Sequence, residues 1–168
     1  MGEFDDAAGI FHFQLGAMRD AEKTGGFLMR ALADRVSDSG LSATLHRQAD
    51  DTDHGIVNIE ACLNDLGIAP LTLRSEVVEG MRRRFEAVVA RRPTPAAMDF
   101  FAITTALQYL YYAAGTYQEL TDWSEIMDRP ACRERLAENM SVKRHALEHL
   151  QRLSRQEAEE FFRSQPVR

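Results

Sequence analysis

The chain has 168 residues, 45% of them hydrophobic and 27% charged, which is enough apolar material for one domain with a true core. A formal net charge of −6 argues against a nucleic-acid surface, and the cluster Arg82, Arg83, Arg84, Arg91, Arg92 is too local to reverse that. No run approaches about 18 consecutive apolar residues, so no membrane span is expected.

The first long helix is expected from Asp5 to Val36, closed by the small polar turn Ser37-Asp38-Ser39-Gly40. Within it Gly25-Gly26 marks a bend or the close approach of a neighbour. A second helix, Ser42 to Leu66, carries Leu45, Ala49, Thr52, Ile56, Ile59 and Leu63 on one face and ends at Gly67, with Pro70 beyond. A shorter, highly charged helix over Leu73 to Val89 reads as a crossover. Thr94 then supplies an N-cap and Pro95 the first turn of a third long helix reaching about Leu120. A fourth follows Asp128-Arg129-Pro130 and runs to about Ser154, and a charged tail over 155–168 either extends it or frays. Strand patterns and internal repeats are absent. The pattern predicts an all-α four-helix bundle with one long connection, as a single domain with its core over about 5–155.

Two charges interrupt otherwise apolar stripes. Steps of four and three along the first helix give Phe11, Leu15, Met18, Glu22, Gly25, Met29, Leu32, Val36, and along the last give Leu136, Met140, Lys143, Leu147, Leu150. A carboxylate or ammonium facing a core needs a partner, a metal, a ligand or a neutralised form. Glu22 and Lys143 each fall near the middle of a helix, so antiparallel packing of the first helix on the last would bring them together. Asp51 is a third candidate for this polar centre, making two acids around one ammonium. In that setting Lys143 is an anion anchor, a base or an imine-forming amine, with Glu22 and Asp51 as its catalytic partners. The bland alternative is a relic salt bridge. Tyr109, Tyr111, Tyr112 and Tyr117, with Phe100 and Phe101, offer a lining for a planar organic ligand, although such rings are more often plain core. Trp123 is expected to pack as a lid over the bundle end.

Histidine adds little. Asp51 and His54 have the acid-x-x-His spacing of many bundle metal sites, but His54 lies roughly 170° from the centre of its helix's apolar stripe and Asp51 about 110° away, at the core margin. His145 and His149 stand at i, i+4 on a polar flank, and His12 and His46 are isolated. Cys62 and Cys132 lack CxxC or CxxH spacing, so neither a disulfide framework nor a zinc site is suggested, and a reducing cytoplasm fits. The acidic start MGEFDDAAG predicts no secretory signal, and Asp6 occupies the Ser or Thr position of a myristoylation motif.

Ala21-Glu22-Lys23, Gln48-Ala49-Asp50-Asp51-Thr52, Ile59-Glu60 through Leu66-Gly67, and Val78-Glu79-Gly80-Met81 resemble the YciE/YciF group of ferritin-like proteins, over roughly residues 8–155. The resemblance implies a ferritin-like bundle whose four long helices give carboxylates or histidine to a central di-metal site, and it suggests a homodimer. Glu22 matches the first-helix glutamate of that pattern. Asp51 replaces a glutamate, Gln48 a histidine, and the third-helix acids fall on Leu107 and Leu110 or on Leu110 and Ala113. On the last helix the acids fall on Ser141, Val142, Lys143 and Leu147. Iron or manganese needs several hard oxygen or imidazole donors, so the expectation is an eroded site without metal cofactor.

Three functions stay open. The first is a cofactor-free protein binding or transforming a small organic molecule around Glu22, Lys143 and Asp51, with Gln48, Tyr109, Tyr111 and Tyr112 as ligand contacts. The second is a stress-associated structural or interaction protein, not an enzyme. The third is a residual iron or manganese oxidase using Glu22, Asp51 and His54 or His145. Neither nucleic acid nor membrane is expected as a partner.

Overall fold

Local capping chemistry sets most of the helix ends. The computed structural model describes residues 6–71 and 73–164, and within them the helices are α1 (Ala7–Ala33), α2 (Ser39–Asp65), α3 (Glu76–Val89), α4 (Pro95–Ile126) and α5 (Pro130–Ser164). The expected start of the first helix at Asp5 and the final four residues of the tail lie outside the described residues. Asp6 caps α1 by accepting from Gly9 N at 2.7 Å, and Thr94 caps α4 by accepting from Ala97 N at 3.3 Å. At the end of α2 the chain turns at Gly67, with φ of +70°, while Ile68 N donates back to Leu63 O at 3.0 Å.

Several boundaries differ from expectation, among them the start of the crossover helix, at Glu76 rather than Leu73. The first helix stops at Ala33 rather than Val36. Asp38, read as part of a turn, is the N-cap of α2 and accepts from Leu41 N at 2.6 Å, so α2 starts at Ser39. Helix α4 continues to Ile126, which makes Trp123 a helical residue, packed beside Phe11, Ile10 and Met127. The tail is helical to Ser164 because its aromatic residues find partners: Phe161 stacks on Phe100 with ring centroids 5.5 Å apart, and Phe162 meets the same ring edge-on. Phe101 likewise stacks on Phe85 of α3, so both phenylalanines considered for a planar ligand pack against the protein itself.

Helices α1 and α2 form one hairpin and α4 and α5 the other; α1 lies against α4, and α2 against α5. This is the ferritin-like four-helix arrangement, with α3 as a crossover resting on α1 and α4. Helix α1 therefore sits diagonally across the bundle from α5, not beside it as the sequence suggested. Leu15, Met18, Met29, Leu45, Ile59, Ile103, Leu110, Leu136 and Leu150 fill the middle and are fully buried. Among the described residues no helix is long and apolar enough to cross a membrane.

Candidate functional site

At the centre of the bundle the charged interruptions of two stripes meet. Lys143 Nζ donates to Glu22 Oε2 at 2.8 Å, across the diagonal between α5 and α1, with the two side chains 1% and 0% exposed. Two phenols of α4 complete the carboxylate. Tyr109 OH donates to Oε2 and Tyr117 OH to Oε1, each at 2.6 Å. Lys143 Nζ also lies 5.5 Å from the centroid of the Tyr109 ring, within cation–π range. Burial, and next the neighbouring Glu22 carboxylate, push both phenols well above the usual tyrosine range, so both stay protonated and act as donors.

The network reaches the surface through α5 and α2. Asn139 Nδ2 donates to Tyr117 OH and to Gly55 O, both at 3.1 Å, and Asn58 Nδ2 donates to Asn139 Oδ1 at 2.8 Å. Asn58 also donates to Glu138 Oε2 at 3.2 Å, and His54 Nε2 stands 3.2 Å from the other Glu138 oxygen in solvent. All four long helices are thus joined through one set of hydrogen bonds. Two glycines make room for it. A Cβ on Gly25 would fall 2.2 Å from Tyr109 Cζ, and one on Gly55 would fall 2.9 Å from Glu22 Oε1. The Gly25-Gly26 pair thus admits neighbours closely, while α1 runs unbroken through it.

Of the residues singled out from sequence, Glu22, Lys143, Tyr109 and Tyr117 come together, and Asp51, Gln48, Tyr111, Tyr112 and His54 do not join them. Asp51 has no hydrogen bond or ion pair to Glu22 or Lys143 among the described residues. It lies with Gln48, Arg47, His145 and His149 along an open groove of about 360 Å³ between α2 and α5. Its helical angle already placed it at the core margin, and the diagonal geometry leaves it outside the pair. Gln48 is buried in the same groove, and its Oε1 has no hydrogen-bond partner among the described residues. Tyr111 is 54% exposed and accepts from Gln151 Nε2, because two residues along a helix is about 200°, on the far side from Tyr109. Tyr112 is half-buried against the core flank. His54 points to solvent as its helical angle predicts.

Asn139, Asn58 and Gly55 belong to the site although the sequence reading does not include them. Asn139 stands one turn before Lys143 on the same helix, and that signal was present in the sequence.

A di-metal centre does not fit this donor set. Glu22 lies at the bundle centre, both its oxygens already accept from internal donors, and the Lys143 ammonium already supplies positive charge beside it. Among the described residues no three His, Cys, Asp or Glu side chains converge into a metal-holding group.

The fold and its centre define a ferritin-like helical bundle closed by a buried ion pair. The chain belongs to the family described as "Domain of unknown function (DUF892)", whose model matches residues 6–163. Its structure is similar to the crystal structure of the E. coli stress protein YciF, with a TM-score of 0.88 at 18% identity, covering 93% of this chain and 99% of that one. It is also similar to YcfI, a putative structural protein from Rhodopseudomonas palustris, with a TM-score of 0.84 at 16% identity over 90% of this chain and 98% of that one. No curated protein matches the chain.

Proposed function

We propose that the chain is a non-catalytic, metal-independent structural protein in which Lys143 takes the place of bound cations and fastens the four long helices around Glu22. One observation carries this reading: the centre is closed, with the carboxylate and the ammonium 0% and 1% exposed and every carboxylate oxygen engaged by an internal donor. A substrate reaching Lys143 would have to part the helices and strip hydrogen bonds from a buried charge, at a cost of several kcal/mol. The description of the R. palustris neighbour as a putative structural protein agrees with this reading.

Protein purified from iron- and manganese-supplemented medium tests the reading. Elemental analysis should find far less than one metal per chain, and a chelator should leave the unfolding midpoint unchanged. Stoichiometric metal, released by chelator with loss of stability, would refute it.

A second reading has one observation in its favour. The partnerless Gln48 Oε1, beside Asp51, Arg47, His145 and His149, suits a small polar molecule with a hydrogen-bond donor, seated in the groove between α2 and α5 rather than at the centre. A thermal-shift screen of small amines and amides tests it: a hit that Gln48→Leu abolishes would support a binding protein, and a hit indifferent to that change would not.

A further inference from the structure

Cys62 and Cys132 lie 70 positions apart with no motif to pair them, yet the fold brings them face to face. Cys62 belongs to the last turn of α2 and Cys132 to the first turn of α5. The Cys62 thiol is directed at the carbonyl oxygen of Cys132 at 3.8 Å, and the Cys132 thiol at the carbonyl oxygen of Cys62, also at 3.8 Å. This reciprocity puts both sulfurs in one gap between the two helices, and both residues are buried. Each S–H makes only a weak hydrogen bond, so rotation about Cα–Cβ turns each sulfur from the opposite carbonyl toward the opposite sulfur at small loss. Among the described residues no further His, Cys, Asp or Glu joins them to make a metal site.

We propose that Cys62 and Cys132 are an oxidative modification site, closing an intramolecular disulfide that staples the end of α2 to the start of α5 when the protein meets a hydroperoxide. One thiolate attacks a peroxide oxygen, the O–O bond breaks, and a sulfenic acid forms with release of an alcohol or water. The second sulfur then attacks the sulfenyl sulfur, forming S–S and expelling hydroxide, which leaves as water with the remaining thiol proton. The sum is two thiols and one hydroperoxide giving one disulfide, one water and one alcohol or second water.

Surroundings set the pace. Burial, reinforced by the neighbouring Cys132, pushes the Cys62 thiol up to about 12, against the Arg135 guanidinium, which favours the thiolate. Arg135 is itself paired with Asp65 at the surface of the same bundle end. Little thiolate is present near neutrality, so the dithiol persists under reducing conditions and closes slowly.

The test uses the full chain, reduced and then exposed to hydrogen peroxide, with remaining thiols alkylated in denaturant and the tryptic peptides weighed. The expected result is a cross-linked peptide pair that has lost two hydrogens, in a protein that stays one chain on a non-reducing gel. The loop closed is long, so Tm should rise by about 5 °C or more over the reduced form. Cys132→Ser should show neither the cross-link nor the Tm gain. Because burial alone can slow peroxide, the same peptides are weighed after equilibration in a glutathione redox buffer near the unfolding midpoint, where both sulfurs are reachable. Full alkylation of both cysteines after both treatments, sulfinic acid without cross-link, disulfides between chains, or a cross-linked protein with unchanged or lowered Tm would overturn the proposal.

Discussion

Replacing Lys143 by Met removes the ammonium while keeping the length and most of the volume of the side chain, so the perturbation is chiefly electrostatic. The pair is essentially unexposed, at 1% and 0%, so the solvent discount for surface ion pairs does not apply. Leaving one charge of a buried pair uncompensated costs about 3–5 kcal/mol. Tyr109 and Tyr117 go on donating to both carboxylate oxygens in the variant, which places the loss near the low end, about 3 kcal/mol. With a urea dependence of about 2 kcal/mol per molar, the unfolding midpoint followed by far-UV circular dichroism should fall by about 1.5 M. Glu22→Gln combined with Lys143→Met removes both charges and should recover most of that loss, giving a coupling well above 1 kcal/mol. A Lys143→Met protein as stable as the wild type, or more so, with no coupling to Glu22→Gln, would refute the claim that this pair fastens the bundle.

Three further outcomes follow from the same geometry. Gly55→Ala puts a methyl 2.9 Å from Glu22 Oε1 and 3.2 Å from Tyr117 OH and should destabilise by about 1–3 kcal/mol, whereas Gly115→Ala, with nothing within 4 Å, should stabilise by about 0.5–1 kcal/mol; both are read by urea unfolding, and equal effects would mean the centre is looser than described. Tyr117→Phe deletes a 2.6 Å hydrogen bond to a buried carboxylate and should lower stability by about 2 kcal/mol, measured the same way, with no loss counting against the network. At alkaline pH the Tyr109 and Tyr117 phenols, raised by burial and then by Glu22, hold their protons longer in the folded chain than in the unfolded one. Their contribution is therefore whole below pH about 10 and drains away as pH climbs through the folded values, so phenolate absorbance from these two should appear only as helicity is lost; Tyr109→Phe and Tyr117→Phe assign the signal, and ionisation with helicity intact would refute it.

Helix ends governed by local chemistry were legible in the sequence: the Thr94 cap with Pro95, and the Gly67 stop with Pro70 beyond it, need no tertiary information. Asp38 was misread because a cap and a turn use the same residue types, and only the Leu41 amide decides between them. The sequence leaves the length of α5 open between extension and fraying, since Phe161 reads as part of a charged tail until Phe100 lies under it. The ion pair was legible because a stripe is a one-dimensional pattern, and a charge in it must be answered from somewhere. That the two helices meet across the diagonal rather than side by side was not, because adjacency around a bundle is not written in any single stripe. That gap accounts for the misplacement of Asp51, and the same kind of gap hid the meeting of Cys62 and Cys132, whose spacing carries no motif.

The arrangement at the centre also bears on why this chain keeps charge in its core. Leucine and alanine stripes tolerate a slip of one helix along another, since one apolar contact replaces the next. A shift of α1 by one turn, about 5.4 Å, would draw Glu22 away from Lys143, Tyr109 and Tyr117 together, leaving a carboxylate, an ammonium and two phenols buried without partners. Glu22 binds α1 to α4 and α5, and Asn139 extends the same lock to α2 through Gly55 O and Asn58. A net-neutral pair with every oxygen satisfied can thus set the register of four helices at once, which is the mechanical task that ions bridging carboxylates perform in a metal-holding bundle. That equivalence supports the structural role proposed for Lys143, in which the lysine and the two tyrosines act as one unit.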